Sequence, residues 1–255
     1  MKSDPHDQSQ FDIRCEWGIS GVRRIGSLAD VLVIVDVLSF STCVDVAISR
    51  GAIIFPYRWK DRSAIEYANK MKAILAGPRS QPGDGFVSLS PGSLQNLAAG
   101  TRVVLPSPNG SELSVEAQSL GKLVVAGCFR NAQAVAQYVM SKGKSVAVIP
   151  AGERWPDGSI RFAVEDLAAA GAVIENLRGK RSPEALAAVA IWNSVKDDLY
   201  SFLKTCASGQ ELCDREFDSD IRIASEANIS ATVPLLQDDA YVSIQATSRF
   251  ADLLQ

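Results

Sequence analysis

An aspartate closes an otherwise apolar run: VLVIV at residues 31–35 is followed by Asp36, then Val37 and Leu38. A carboxylate there is costly to bury unless a cation or several hydrogen bonds meet it, so Asp36 reads either as a functional group or as a structural cap or ion pair. Further on, Pro106-Ser107-Pro108-Asn109-Gly110-Ser111 lies between a predicted strand and a predicted helix. It offers hydroxyls, an amide and a glycine that lets main chain come close. Free N–H groups and the positive end of the helix dipole suit such a turn to an anion such as phosphate. A serine-capped turn that binds nothing has the same letters. Ser41 and Thr42 after Asp36, and Arg130 and Asn131 after VVAG, repeat the arrangement.

Residues 152–158, GERWPDG, form a long polar connection with Arg161 just beyond it. Arg154 and Arg161 are suited to bidentate contacts with carboxylate, sulfonate or phosphate, although surface arginines often contribute nothing. Glu165 and Asp166 fall at a helix start, where they either complement the dipole or, with Asp36, offer oxygen ligands to Mg²⁺. Asp220 opens a helix in the tail and is a fourth, weaker candidate ligand. Cys43 and Cys128 sit near the same edge and read as small buried thiols.

Composition removes several alternatives. Twenty-nine acidic against 26 basic residues give a formal net charge of −3, without the basic footprint of a nucleic-acid binder. The one histidine, His6, lies in a polar leader, residues 1–10, expected to be disordered. Ser-His-Asp and Cys-His hydrolysis and histidine-rich zinc sites are therefore excluded. Five cysteines without a repeated CxxC read as reduced thiols. No GxxxxGK[ST] or GxGxxG occurs, and no apolar stretch has the form of a signal peptide or a membrane span. A cytoplasmic protein with neither nucleic-acid nor membrane partners is expected; homo-oligomerisation stays open.

The elements that must position these residues follow from periodicity. FDIRCEWG alternates as a half-buried strand does, and VLVIVDV is the continuous β-branched run of a strand covered on both faces. Ser41 would cap a helix ending at Gly51. AIIFPY, with Pro56 favouring an edge or strand end, precedes a helix opened by a capping box at Ser63 and Glu66. Residues 77–85 read as a flexible connection. Three more strand, loop and helix units begin at TRVVLP, KLVVAG and KSVAVIP, and a long helix runs from Ser182 and Pro183 to Ser208 and Gly209. A short helix from Asp220 and a strand AYVSIQ complete the chain. Such alternation predicts one α/β domain over residues 11–255, a largely parallel or mixed central sheet with helices on both faces in a three-layer α/β/α arrangement. In folds of that kind, ligands bind beyond the carboxyl ends of the strands.

Taken in order, VIVDVLSFST, VLPSPNGS, GCFRNA, IPAGERW with EDLAAAGAVI, and SGQEL with SDIRIA and VPLL resemble the 2-phosphosulfolactate phosphatase family over about residues 11–245. The resemblance implies a Mg²⁺-dependent acid phosphatase of α/β fold that hydrolyses 2-phospho-3-sulfolactate to 3-sulfolactate on the route to coenzyme M. Two positions depart from the family pattern. Ser39 stands where many members carry arginine, and Leu89-Ser90-Pro91 where they carry an NSP element. Arg130, Arg154 and Arg161 are the candidates to replace the lost cation.

On this reading Mg²⁺, held by Asp36 and by Glu165 or Asp166, bridges to a phosphate seated on Ser107, Asn109, Gly110 and Ser111 and on the Ser41 and Thr42 helix start. Arg130 stabilises the equatorial oxygens. The nucleophile is either water or Asp36 itself. The leaving group takes its proton from a carboxylic acid, a metal-bound water or solvent. Two other readings use the same residues: a phosphatase for another small phosphorylated hydroxy acid or a sugar phosphate, and a non-catalytic protein that binds an anion or metabolite.

Overall fold

Val31, Val33 and Val35 pack into one apolar cluster, while Leu32 and Ile34 pack into another. This is the period-two alternation of a strand covered on both faces. The structure is a computed structural model describing residues 4–79 and 87–244.

In chain order it begins with β1 (Ile13–Cys15), α1 (Gly18–Ile25), β2 (Val31–Val35), α2 (Phe40–Ser49), β3 (Ile53–Tyr57), α3 (Arg62–Met71), β4 (Ile74–Leu75) and α4 (Pro91–Leu94). Next come β5 (Arg102–Pro106), α5 (Gly110–Ser119), β6 (Leu123–Gly127), α6 (Ala132–Lys142), β7 (Val146–Pro150) and the short hairpin β8 (Glu153–Arg154) with β9 (Ile160–Arg161). A helical stretch of α7 (Val164–Glu175), α8 (Pro183–Val195), α9 (Leu199–Thr205), α10 (Ala207–Asp214) and α11 (Asp218–Ala224) precedes the hairpin of β10 (Pro234–Gln237) and β11 (Ala240–Ser243).

Nine strands form one mixed sheet in the order β1-β7-β2-β6-β10-β11-β3-β5-β4. β1, β7, β2 and β6 pair in parallel, as do β3, β5 and β4. The terminal hairpin joins these two parallel blocks through antiparallel pairs with β6 and β3. Asp238 and Asp239 both have positive φ, as a two-residue hairpin turn matched to strand twist requires. Helices α6, α7 and α8 lie on one side of the sheet, and α1, α2 and α5 on the other. The α/β class with helices on both sides of a mixed sheet is thus as the sequence predicts.

The sheet is strongly curved. Five strand spacings separate β2 from β5, about 24 Å in a flat sheet, yet the turns that follow them are hydrogen-bonded to each other. Helix α2 sits within the curve, buried from Phe40 to Ile48, which accounts for a helix apolar almost all round.

Several local expectations change. β1 is only three residues long and wholly buried, and Trp17 lies outside it at the N-cap of α1. Part of the leader is ordered: Gln8 is buried and exchanges hydrogen bonds with the Cys15 main chain. β3 is interior, and Pro56 is tolerated because β11 registers with β3 only at Ile54. Asp61, accepting from the Ser63 N–H, caps α3 in place of the Ser63 and Glu66 box.

The long helix from residue 182 to 209 is three helices. Asp198 caps a new start at Leu199 by accepting from the Ser201 N–H, and Cys206 adopts extended dihedrals. Gly209 is needed there, since a Cβ would stand 1.7 Å from the Leu203 carbonyl oxygen. α11 starts at Asp218, two residues before Asp220. Of the predicted connection at 77–85, residues 80–85 lie outside the described residues, as does Gln245 of the last strand.

Candidate active site

Register places the ends of β2, β6 and β7 level, with Val35 opposite Gly127 and Pro150. Asp36 therefore leaves the sheet on the rim that also bears the loops after β6 and β7. Its carboxylate is buried and meets three donors. The Gly110 N–H reaches Oδ2 at 2.7 Å, the Ser107 hydroxyl reaches the same oxygen at 3.5 Å, and the Phe40 N–H reaches Oδ1 at 3.4 Å. Gly110 has no alternative, because a Cβ would lie 2.2 Å from Phe40 Cδ1 and 2.7 Å from Asp36 Oδ2.

Three more carboxylates share this field: Glu153 on β8, and Glu165 and Asp166 in the first turn of α7. Burial raises the pKa of Asp36 above the ordinary aspartate value against the Gly110 and Phe40 N–H groups, and Glu165 adds to the rise. Asp166 is raised well above the usual value by burial and then by Asp36 and Glu165. Glu153 is pushed up to about 7, chiefly by burial and next by Asp36, while Asn109 Nδ2 donates to its Oε2 at 2.8 Å. The Oε2 of Glu165 is buried and has no hydrogen-bond partner.

The other predicted site residues divide clearly. Ser41 is fully buried, its hydroxyl donating to the Asp36 carbonyl and accepting from the Asp36 N–H. Thr42 donates to the Val37 carbonyl and Ser111 to the Leu105 carbonyl. Asn131 accepts from Cys128 N–H and donates to the Ala126 carbonyl. These four side chains hold the loops and are turned away from a ligand, which corrects their assignment as phosphate donors. Ser107, Asn109 and Gly110 stand at the carboxylate cluster.

The arginines are corrected too. Arg130 pairs with buried Asp45 at 2.9 Å and with Glu226, and donates to the Ile223 carbonyl, so it braces α2 against the loop after α11. Arg154 pairs with Glu112. Arg161 donates to Ser208 and lies opposite Glu153 in the β8–β9 pair, within its field.

Among the acids, Asp166 accepts from the Val37 N–H at 2.8 Å and the Gly152 N–H at 2.9 Å, one on each oxygen, and so ties two rim loops to α7. Asp220 accepts from Ser90 and faces Arg79 at 3.4 Å. Both oxygens of Asp166 are thus engaged by main chain, whereas Asp220 Oδ2 carries the Arg79 ion pair without a hydrogen bond.

Sequence reasoning missed Glu153, Lys60 and Arg79. Lys60 feels Arg79, Glu153 and Asp36, and desolvation lowers its pKa. Arg79 hydrogen-bonds the hydroxyl of Ser39. Glu153 had a signal, an acid three residues past the end of an apolar strand, as Asp36 is one residue past its own. Lys60, one of three cations in residues 58–62, and Arg79, a lone cation in a polar connection, had none, because nothing nearby in the chain marks either as facing the site.

No three Asp, Glu, His or Cys side chains among the described residues ring a common point as a metal cage. Mg²⁺ does not need one, since it usually binds one or two carboxylates and completes its shell with water and substrate phosphate. Asp36, which accepts three donors on an oxygen pair with room for about four, and Glu165, with its orphaned oxygen, have no cation paired to them among the described residues and fit such a site.

The class these observations define is an α/β protein with buried acidic oxygens and main-chain amides meeting at the carboxyl rim of its sheet. More particularly, the chain belongs to the 2-phosphosulpholactate phosphatase family, whose model matches residues 21–239. The 2-phosphosulfolactate phosphatase of Methanothermobacter thermautotrophicus is 27% identical over 208 residues, covering 81% of this chain and 86% of that protein. Probable 2-phosphosulfolactate phosphatases of Carboxydothermus hydrogenoformans (29% identical, 80% and 84% covered) and Thermotoga maritima (26%, 82% and 90%) are similar over the same extent. The resemblance carried by the sequence blocks is thereby borne out.

Proposed function

We propose that this chain is a Mg²⁺-dependent phosphatase that hydrolyses 2-phospho-3-sulfolactate to 3-sulfolactate and phosphate. The observation that carries the reading is the pair formed by Asp36, gripped by the Gly110 amide, and Glu165, whose Oε2 is buried without a partner, in a chain of this family. Asp36 and Glu165 are the residues that would hold the ion. When bound, Mg²⁺ supplies charge neutralisation at the phosphoryl oxygens and acidifies a coordinated water.

The chain's own groups do the rest. Ser107 and the start of α5 face the phosphate with a hydroxyl and the positive end of the helix dipole. Glu153, raised to about 7, is protonated in mildly acidic solution and gives its proton to the leaving alkoxide oxygen. Water is the nucleophile in this proposal, since Asp36 is assigned to the ion. Inversion at a chiral phosphorus would bear this out, and retention would mean attack by Asp36.

A cytoplasmic setting belongs to the same proposal, supported by five free thiols. No helix among the described residues is long and apolar enough to cross a membrane. The decisive experiment is phosphate release from a panel of phosphomonoesters, 2-phospho-3-sulfolactate included, with Mg²⁺ and with chelator. Turnover of another hydroxy-acid or sugar phosphate in preference, or none at any Mg²⁺ concentration, refutes the assignment.

A further inference from the structure

Two cavities reach the chain that leads from β5 to Gly110, one at Pro106 and one at Asn109, and they differ in sign. One, of about 420 Å³, reaches Asn109 and sets Glu16, Glu112 and Glu153 against Arg154. The other, of about 840 Å³, reaches Pro106 at the end of β5 and sets Lys60, Arg62, Arg79 and Arg215 against Asp61. We propose that Arg79 and this basic cavity form a second anion subsite, which takes the acidic group a substrate carries besides its phosphate.

The guanidinium of Arg79 is anchored at the rim. It donates to the hydroxyl of Ser39, which begins α2 three residues after Asp36, and it lies over the Phe217 ring at 5.7 Å. Asp220 Oδ2 faces Arg79 Nε at 3.4 Å, yet neither atom makes a hydrogen bond. A planar fork held by stacking, one hydroxyl and the ion pair with Asp220 on its Nε side keeps terminal N–H groups for a planar or tetrahedral oxyanion. Lys60 connects the two regions, because it lines the cavity and also feels both Asp36 and Glu153. Arg130 and Arg154 are already committed to Asp45, Glu226 and Glu112. Arg79 therefore answers the charge question raised by Ser39 from a connection 40 residues along the chain. A substrate with its phosphate at the carboxylate cluster would extend its sulfonate or carboxylate toward Arg79.

This inference rests on the phosphatase reading, and the two can fail separately. Values of kcat/KM for 2-phospho-3-sulfolactate and for p-nitrophenyl phosphate, which lacks a second acid, are compared in the natural chain, Arg79→Met and Arg79→Lys. Loss of a charge-assisted contact should lower the ratio of the two constants by about 10- to 100-fold in Arg79→Met, mainly through KM, with partial recovery in Arg79→Lys. An unchanged ratio overturns the subsite even if both activities fall. Should Arg79→Met lose its thermal unfolding transition, Lys60→Met provides the same comparison. If the natural chain hydrolyses neither ester, the phosphatase reading fails, and calorimetric binding of 3-sulfolactate decides the subsite: binding lost in Arg79→Met supports it, and binding absent or unaffected overturns it.

Discussion

The main-chain N–H of Gly110 donates to Oδ2 of Asp36 at 2.7 Å across 74 residues of sequence. The bond joins the turn after β2 to the turn after β5, strands that a flat sheet would hold far apart. Curvature of the sheet, with α2 buried inside it, is therefore what assembles the candidate site.

Gly110→Ala tests that closure directly. The added methyl meets Phe40 and Asp36 at distances no relaxed side chain tolerates. Overpacking of this kind should cost about 1–3 kcal/mol in urea unfolding. Displacement of the carboxylate should lower kcat/KM by about 100-fold. Unaltered activity would show that the closeness of these two turns is unimportant for the reaction.

Glu153→Gln separates proton donation from phosphate binding. For the natural chain, activity toward an alkyl phosphate should decline as pH rises through about 7, where Glu153 loses its proton. The variant should lose about 10²-fold or more in kcat at mildly acidic pH and show no decline of this origin. The loss should be far smaller for p-nitrophenyl phosphate, whose leaving group needs no proton. Equal losses on both esters would contradict the role.

Stability without metal should depend on pH in the sense opposite to that of a salt-bridged carboxylate. Glu153 rises from an ordinary 4.5 to about 7 on folding, and burial raises Asp36 and Asp166 as well. The folded chain then binds more protons than the unfolded one, so this contribution is full below the unfolded values and is lost as pH climbs through the folded ones. With chelator present, the urea midpoint should fall between about pH 5 and pH 7, and Mg²⁺ should restore it most at the higher pH. A midpoint insensitive to Mg²⁺ at both would argue against Asp36 and Glu165 as ligands.

Arg130→Met should destabilise without redirecting specificity. It leaves Asp45 buried beside Ser230 with its cation gone. Breaking a buried pair from one side costs about 3–5 kcal/mol, measurable as a lowered urea midpoint. Adding Asp45→Asn should recover much of that loss. Substrate preference of the folded variant should be unchanged, and a change would return Arg130 to the site.

Much of the molecule was legible from local pattern. The continuous apolar run of β2, the repeated strand and helix units, and the turn containing Asn109 and Gly110 are short-range features, set by burial on two faces and by turn chemistry. Asp36 stood out because a carboxylate interrupts an apolar strand. The rest depended on long-range partners. Cys206 and Gly209 break a helical stripe only because Leu203 packs against them. The β10–β11 hairpin takes the centre of the sheet, a position its few residues do not announce.

By itself, then, the sequence determined the α/β class, the rim on which chemistry would occur and the family blocks, since these follow from periodicity and from residues near one another in the chain. Tertiary structure alone decided which polar groups are free. The hydroxyls of Ser41, Thr42 and Ser111 are consumed by carbonyls, Arg130 by Asp45, and Asp166 by two main-chain amides. Glu165 keeps an unpaired oxygen, and Arg79 reaches Ser39 from a distant connection. The physical reason is that a donor or acceptor is available to a ligand only when no neighbour in space has already satisfied it, and a one-dimensional pattern does not record those neighbours.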